Sequence, residues 1–195
     1  MGKLFYIMGK SASGKDTIYQ KLLENPGFHF RRLIIYTTRP IRDGEKEGQE
    51  YYFVNEESFQ SLKAEGKIIE DRGYESVYGL WRYFTVDNMD LENYSYLGIG
   101  TLESYEQLKK YYGVDKVCPI YIEVEDGERL KRAIAREETQ EIPKYEEMCR
   151  RFLADSQDFS EANIKAAGIS RRFRNTDFIT CMSDIEKHVK SVLYC

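Results

Sequence analysis

The fold of this chain can be predicted from the stretch Gly9-Lys10-Ser11-Ala12-Ser13-Gly14-Lys15-Asp16-Thr17 and the segments on either side of it. The apolar segment 4–8 before it is short enough for one buried strand, and Ile18, Leu22 and Leu23 after it have helical spacing. A glycine-rich turn with GxxxxGK between a strand and a helix is typical of a phosphate-binding loop, or P-loop. Glycines let the backbone amides approach an anion, and the following helix presents its positive end.

The loop therefore predicts a site for ATP, in which Lys15 places its ammonium group against the outer phosphates. The residues expected to bind ATP are Gly9, Ser11, Ala12, Ser13, Gly14, Lys15, Asp16 and Thr17. The alternative is a flexible Gly/Ser turn with an exposed lysine.

The position after Lys15 is Asp16, where the usual motif has the Ser or Thr that contacts Mg²⁺. Thr17 supplies a hydroxyl one place later. A carboxylate beside a triphosphate is repelled unless a cation lies between them. Asp16 or Thr17 is therefore expected to contact Mg²⁺, directly or through water.

The composition describes an ordinary globular chain. Its 195 residues suit one α/β core with an inserted subdomain, and 42% are hydrophobic. The net charge of −4 gives no reason to expect a nucleic acid or an anionic membrane as partner. The four cysteines include no CxxC pair and are expected to be reduced thiols. Without a signal-peptide pattern or a membrane-length apolar segment, the expected location is the cytoplasm.

Strand and helix patterns alternate along the chain, which predicts a parallel sheet with helices on both faces. The predicted strands after the loop are 32–38, 51–54, 67–70, 83–86, 94–99, 117–124 and 178–181. The predicted helices are 55–64, a weak one over 87–93, 102–112, one starting at Asp126, and 145–158. The box Ser183-Asp184-Ile185-Glu186 is expected to open the final helix. The strand-rich segment 35–86 is interpreted as an insertion between core segments 1–34 and 87–195.

Two arginines in a polar loop of the insertion suggest a second phosphate site. Arg39 and Arg42, with Tyr51 or Tyr52 and Tyr78, can form a clamp. Guanidinium groups suit bidentate contact with phosphate, and phenols add donors without charge. The alternative is a pair of solvated loop arginines.

The insertion contains the run Thr37-Thr38-Arg39…Arg42-x-Gly44-Glu45-x-x-Gly48-x-x-Tyr51-x-Phe53-Val54, followed by Phe59, Ile69-Glu70 and Tyr78-Gly79. This pattern resembles the GMP-binding segment of guanylate kinases. The resemblance implies that the GMP phosphate is held by Arg39, Arg42, Tyr51 and Tyr78, and that Glu70 reads the guanine. A carboxylate can accept from guanine N1–H and the 2-amino group, whereas adenine presents an acceptor at N1.

The resemblance extends downstream more thinly. Arg132-Ala-Ile-Ala-Arg136 resembles the helix before the family's lid, and Arg151 a later arginine. The implied lid is about 137–146, built on the acidic stretch 137–141 with Pro143. The implied catalytic set is Lys15, Arg39, Arg132, Arg136 and Arg151. The alternative for Arg132 and Arg136 is that they form a solvated basic helix face, paired with Glu137 and Glu138.

Three departures from the family pattern concern the base more than the phosphates. Gly98 and Gly100 stand where the family usually has an Asp-x-Asp. Ile35 and Leu80 stand where hydroxyl residues are expected, of which the first contacts the guanine carbonyl.

The sequence therefore predicts an α/β P-loop NTPase fold of three layers, with a central parallel sheet, a strand-rich monophosphate-binding insertion and a lid. The expected activity is transfer of the γ-phosphoryl group of ATP to GMP with Mg²⁺. One alternative is a kinase for another nucleoside monophosphate. Another is a non-catalytic guanylate kinase-like module that binds phosphopeptides, against which the intact loop Gly9–Lys15 argues.

Overall fold

The computed structural model describes residues 1–76 and 79–194. The strands are β1 Leu4–Met8, β2 Arg31–Arg32, β3 Tyr36–Thr37, β4 Tyr52–Phe53, β5 Ile68–Ser76, β6 Gly79–Val86, β7 Tyr96–Ile99, β8 Val117–Glu123 and β9 Arg172–Arg174. The helices are α1 Lys15–Glu24, α2 Glu56–Ala64, α3 Leu102–Tyr112, α4 Asp126–Glu138, α5 Tyr145–Asp158, α6 Glu161–Ala166 and α7 Phe178–Leu193. None of the helices in these ranges is both long and apolar enough to cross a membrane.

The central sheet has five parallel strands in the order β2-β7-β1-β8-β9. Side chains of β1 alternate between two cores, as expected for a strand buried on both faces. Leu4, Tyr6 and Met8 pack in the core that contains residues of α3 and α6. Phe5 and Ile7 pack in the core that contains residues of α1 and α7. The predicted three-layer α/β fold is confirmed.

A second, four-stranded sheet has the order β4-β3-β6-β5 and lies within the strand-rich segment. Helix α2 covers one of its faces, where the Phe59 ring contacts Phe84 at 5.0 Å between centroids. Asn55 begins this helix as predicted, because its side chain accepts from the amide of Ser58. The other face of this sheet remains for polar side chains.

The single strand predicted over 32–38 is wrong. The chain pairs with β7 through β2, and the amide of Leu33 still donates to Leu97 O. It then leaves the central sheet and joins the second sheet at β3. Apolar residues continue through this crossing because Leu33 and Ile35 pack in a core of the central sheet, whereas Tyr36 packs in the core of the second sheet.

The predicted last strand 178–181 is also wrong, because these residues form the first turn of α7. Asp177 caps the helix by accepting from the amide of Thr180 at 2.8 Å. Cys181, Ile185 and Val189 repeat every four residues and are buried in the core. The predicted capping box at Ser183–Glu186 consequently lies inside the helix, and the last strand is β9.

Other boundaries also differ from the prediction. Strands β5 and β6 are longer than the predicted 67–70 and 83–86, and α6 was not predicted. The weak helix predicted over 87–93 is a set of turns in which Asp90 accepts from the amide of Asn93. The predicted turn at Tyr78-Gly79 includes Tyr78, which is outside the described residues.

Candidate active site

The loop between β1 and α1 has the backbone of an anion-binding turn. Ala12 and Gly14 adopt positive φ angles of 61° and 85°. Gly14 is the N-cap of α1 and, having no side chain, leaves the first-turn amides of the helix uncapped. Turns of this kind direct successive amides toward one point. The loop can therefore donate several hydrogen bonds to a phosphate group.

Close packing around the loop explains its glycines. A Cβ atom at Gly9 would lie 2.6 Å from Ile122 O, and one at Gly14 would lie 2.5 Å from Asn175 Nδ2. Asn175, which follows β9, donates from Nδ2 to Ser13 O at 2.8 Å and so holds the loop in place. The Ser13 hydroxyl is buried and has no hydrogen-bond partner among the described residues. An unpaired buried hydroxyl beside free amides fits a bound phosphate oxygen.

Lys15 and the residues after it begin α1. Lys15 Nζ lies 3.5 Å from Asp16 Oδ2, and the Asp16 side chain is 83% exposed. Thr17 is also exposed. Within residues 1–76 and 79–194 no group of three or more His, Cys, Asp or Glu side chains is arranged to hold a metal ion.

Helices α4 and α5 meet the loop at Ser11. The Ser11 amide donates to Asp155 at 2.7 Å, and Arg129 donates to Ser11 O at 3.0 Å. Arg129 is 1% exposed, donates to Asp126, and lies over the Phe152 ring at 4.4 Å. These long-range contacts, which the sequence analysis missed, join the two helices to the amide and the carbonyl of a single loop residue.

The predicted lid arginines separate into two groups. Arg151 Nη2 donates to Ser11 Oγ at 3.3 Å, and Arg136 and Arg151 line one cavity of about 190 Å³ with Ser11. Arg132 instead donates to Asn175 O at 3.0 Å and to Glu128 at 3.1 Å. Arg136 and Arg151 are therefore brought beside the loop, whereas Arg132 contacts the residue that supports it.

The acidic stretch expected to form the lid begins inside a helix. Glu137 belongs to the last turn of α4, is buried, and accepts from the amide of Lys144 at 3.1 Å. Arg136 approaches Glu137 only to 3.9 Å. The irregular part of the predicted lid is thus the segment 139–144 between α4 and α5.

Arg39 follows β3 of the second sheet, and its guanidinium is hydrogen-bonded to neighbouring side chains. It is 3% exposed, and its two terminal nitrogens donate to Glu45 at 2.8 and 3.0 Å. Its Nε donates to Tyr83 Oη at 3.1 Å, and its guanidinium lies 5.4 Å from the Tyr51 ring centroid. Hydrogen bonds from Arg39 hold the pKa of the Glu45 carboxyl below its usual value. Glu45 also accepts from the backbone amide of Arg42, whose side chain is exposed.

Glu70 lies on the same sheet, in the interior of β5 and not at a strand end. It is 6% exposed and accepts from Thr85 Oγ1 at 2.7 Å. It also accepts from Arg72 Nε at 2.9 Å and from Arg72 Nη2 at 3.4 Å. The predicted guanine-reading carboxylate is therefore buried and paired with an arginine that the sequence analysis did not select.

The polar face of the second sheet, which we define by Arg39, Tyr51, Glu70, Arg72 and Tyr83, collects these groups. In strands, alternate residues share a face, so Glu70 and Arg72 point to one side. Tyr83 pairs with Arg72 across the strands and accepts from Arg39, which connects the two ends of the face. Tyr78 of the predicted clamp is outside the described residues. Of the other predicted acceptor-site residues, Arg39, Tyr51 and Glu70 lie on this face and Arg42 lies at its edge. The alternative residue Tyr52 packs against Tyr36 instead.

The polar face touches the central sheet next to the loop. Arg72 Nη1 donates to Thr101 Oγ1 at 3.4 Å. Thr101 follows β7 and caps α3, and β7 pairs in parallel with β1, which carries the loop. Carboxyl ends of parallel strands meet at one edge of a sheet, where α/β proteins bind ligands. The Glu70 end of the polar face therefore lies at the edge of the sheet from which the loop begins.

Three of the four positions that depart from the family pattern, Gly98, Gly100 and Ile35, are closely packed. A Cβ atom at Gly100 would collide with the Tyr6 hydroxyl, and one at Gly98 would lie 2.7 Å from the Tyr6 ring. Tyr6 is 1% exposed, bonds to Ser104 Oγ at 2.7 Å, and burial raises its pKa to about 12. Tyr6 thus fills the space into which the family's two carboxylates would project. Ile35 packs against the core, and Leu80 is exposed.

A parallel sheet whose first strand ends in a GxxxxGK turn, with a separate polar sheet beside that turn, defines a P-loop nucleotide-binding protein of the α/β class. The family model described as Guanylate kinase matches residues 1–190. Guanylate kinase from Anaplasma phagocytophilum (strain HZ) is 30% identical over 192 residues, covering 96% of this chain and 82% of the relative. Guanylate kinase from Porphyromonas gingivalis (strain ATCC BAA-308 / W83) is 28% identical over 194 residues, covering 97% of each.

A crystal structure of guanylate kinase from Anaplasma phagocytophilum shares the fold. It covers 97% of this chain and 85% of its own, with a TM-score of 0.63 and 24% sequence identity. The chain belongs to the guanylate kinase family.

Proposed function

We propose that this chain transfers the γ-phosphoryl group of ATP to GMP, giving ADP and GDP. The observation that carries the proposal is the polar face, which holds a buried arginine with phenol groups at one end and a buried carboxylate at the other. A nucleoside monophosphate has the matching pair of groups, an anion and a base edge with N–H donors. The P-loop supplies the place for the second nucleotide.

In the proposed complex, ATP binds residues 9–17 and the GMP phosphate binds Arg39, Arg42, Tyr51 and Tyr78. Glu70 accepts from the guanine N1–H and 2-amino groups. The unpaired Ser13 hydroxyl and the uncapped amides of α1 support phosphate binding at the loop. Asp16 or Thr17 would contact Mg²⁺, directly or through water, and the cation would neutralise charge on the phosphates.

Such a transfer requires no protein nucleophile. Catalysis consists of holding the two phosphates in line and neutralising the charge on the transferring group. Lys15, Arg136 and Arg151 supply cations around the loop, and Arg39 supplies one from the acceptor side. Arg132 contributes through Asn175, which holds the loop.

The proposed division of labour is a core of 1–34 and 87–195, an acceptor-binding insertion of 35–86, and a lid of about 137–146. Closure of the insertion and lid over both nucleotides excludes water, which would otherwise take the phosphoryl group. The proposed location is the cytoplasm, which the free thiols of Cys118, Cys149 and Cys181 support.

A coupled assay of ADP formation tests the proposal with ATP, Mg²⁺ and one acceptor at a time. We expect turnover with GMP and much slower turnover with AMP, UMP or dTMP. Thermal-shift measurements with the same nucleotides are expected to show stabilisation by ATP and, among the acceptors, by GMP. Stabilisation by none of the nucleotides would instead support the phosphopeptide-binding module.

A kinase for a different nucleoside monophosphate is the second candidate. It is favoured by Ile35 and Leu80, which cannot donate a hydrogen bond to a guanine carbonyl, and by the glycines at 98 and 100. Preferred turnover of AMP, UMP or dTMP in the same assay would select it over the GMP reaction.

Asp16→Ala is expected to raise the Mg²⁺ concentration needed for half-maximal rate by about 2- to 5-fold, the range of an exposed charge interaction. The physical reason is that the exposed carboxylate of Asp16 lies beside Lys15, where it can attract the cation. A titration of rate against Mg²⁺ measures the effect, with Glu24→Ala at the far end of α1 as control. An unchanged titration for Asp16→Ala would remove this residue from the metal site.

A further inference from the structure

The polar face has acceptors for guanine but, at the positions that the family pattern assigns, no donor for the guanine carbonyl. Guanine presents O6 and N7 as acceptors beside its N1–H donor. Ile35 and Leu80 offer only hydrocarbon. A buried carbonyl without a donor costs about 1–3 kcal/mol. Discrimination in favour of guanine therefore needs a donor from elsewhere.

Arg72 is the charged donor that contacts Glu70. Its side chain is 11% exposed and forms a two-point contact with the Glu70 carboxylate. The contact fixes the guanidinium beside the carboxylate that is expected to read the base. Because Glu70 and Arg72 are two residues apart in one strand, a base that contacts one is within reach of the other.

Three of the five N–H groups of Arg72 are used in the hydrogen bonds of the described residues. Glu70 takes Nε–H and one Nη2–H, and Thr101 takes one Nη1–H at 3.4 Å. The remaining two lie on the neighbouring terminal nitrogens. Such a pair matches the O6 and N7 acceptors of guanine, which is the geometry by which arginine reads guanine in DNA.

These two donors of Arg72 remain available because positions 98 and 100 are glycines and not aspartates. An aspartate at 98 or 100 would place a second anion near Arg72 and compete for its free N–H groups. Tyr6 prevents this, because its ring and hydroxyl fill the space above both glycines. Ser104, which is buried, and Thr101, which is half-buried, are uncharged, so the cluster around Glu70 and Arg72 holds one anion and one cation. A neutral base suits a site with no net charge.

We propose that Arg72 determines the base specificity of this chain by donating to O6 and N7 of guanine while Glu70 accepts from N1–H and the 2-amino group. This inference rests on the proposed GMP reaction. A carboxylate has about four acceptor positions, and Thr85 and Arg72 use three on Glu70. Guanine needs two acceptor positions on Glu70, and only one is free. Binding of guanine therefore also displaces the longest existing contact, the hydrogen bond of 3.4 Å from Arg72 Nη2 to Glu70 Oε1.

The test compares GMP with base analogues in the wild-type protein and in Arg72→Met, which keeps the side-chain length without the donors. The analogues are 7-deaza-GMP, which lacks N7, 6-thio-GMP, which weakens the acceptor at position 6, and IMP, which lacks the 2-amino group. For the wild type we expect kcat/KM to fall about 5- to 100-fold with the first two analogues. For Arg72→Met we expect the KM for GMP to rise by a similar factor and the penalty for these two analogues to disappear.

Two readouts separate recognition from a structural effect. The ratio of kcat/KM for GMP to kcat/KM for IMP reports on Glu70 and is expected to be unchanged in Arg72→Met. The KM for ATP is also expected to be unchanged in this variant. Arg82→Met is the matched control, because Arg82 lies in the same sheet but pairs with Glu56 and packs over Phe59 of α2. It is expected to leave the responses to all three analogues unchanged. Arg72→Lys, which retains the cation beside Glu70, is expected to lose the N7 dependence.

The wild-type comparison decides the proposal even if Arg72→Met does not fold. Wild-type turnover of 7-deaza-GMP and 6-thio-GMP equal to that of GMP overturns the role of Arg72 and leaves the GMP reaction intact. An unchanged analogue penalty in a folded Arg72→Met overturns it in the same way. Absence of GMP turnover by the wild type overturns the proposed function and, with it, this inference.

Discussion

Lys15→Ala is expected to lower kcat for phosphoryl transfer by about 10²- to 10³-fold, the loss typical when one preorganised charge is removed from a transition state. Lys15 follows the turn at Gly14 and begins α1, so its ammonium lies where the outer phosphates of ATP are expected. Its contact in the described structure is Asp16 at 3.5 Å, which is an exposed pair. Such pairs contribute little to stability, so the fold should remain intact.

The measurement for Lys15→Ala is the coupled assay with saturating ATP and GMP, together with circular dichroism and thermal unfolding. Lys21→Ala is the control, because Lys21 lies on the same helix in an exposed pair with Glu24. Lys21→Ala should retain wild-type turnover. A folded Lys15→Ala protein with wild-type turnover would refute the kinase assignment.

Arg39→Ala is expected to raise the KM for GMP about 100-fold or more and also to destabilise the fold. The affinity falls because a buried guanidinium beside Tyr51 is lost from the proposed phosphate clamp. The stability falls by about 1–3 kcal/mol because Glu45 and Tyr83 lose their charged partner. Steady-state kinetics and denaturant unfolding measure the two effects separately.

Arg42→Ala is the matched control for Arg39→Ala. Only the backbone amide of Arg42 contacts Glu45, and its side chain is exposed, so alanine should not change stability. The KM for GMP should still rise, and the KM for ATP should be unchanged in both variants. If neither arginine variant alters the KM for GMP, the acceptor phosphate binds elsewhere.

Local patterns in the sequence predict the parts of the fold that depend on neighbours in the chain. The first strand, the loop and α3 follow from apolar period, glycine spacing and capping residues. Two predictions fail where distant contacts decide the structure. The run 32–38 divides between two sheets because each supplies a partner strand, and Phe178 begins a helix because Cys181, Ile185 and Val189 pack into the core.

The same division applies to the candidate site. The glycine-rich turn and the position of Arg39 near Tyr51 can be predicted because the residues involved are close together in the sequence. Asp155, Asn175 and Arg129 contact the loop from more than 100 residues away, and no local pattern predicts those contacts. Arg72 could have been found, since a strand through Glu70 places the residue two positions on against the same ligand. The short strand predicted over 67–70 ended before it.

The two hydrogen bonds on Ser11 restrict how the enzyme can open. This one loop residue is held at its amide by Asp155 of α5 and at its carbonyl by the buried Arg129 of α4. Rotating either helix as a rigid arm would pull the nucleotide loop out of shape. We therefore expect the hinge for nucleotide exchange to lie in the short connection between the helices, with the helices themselves remaining stationary.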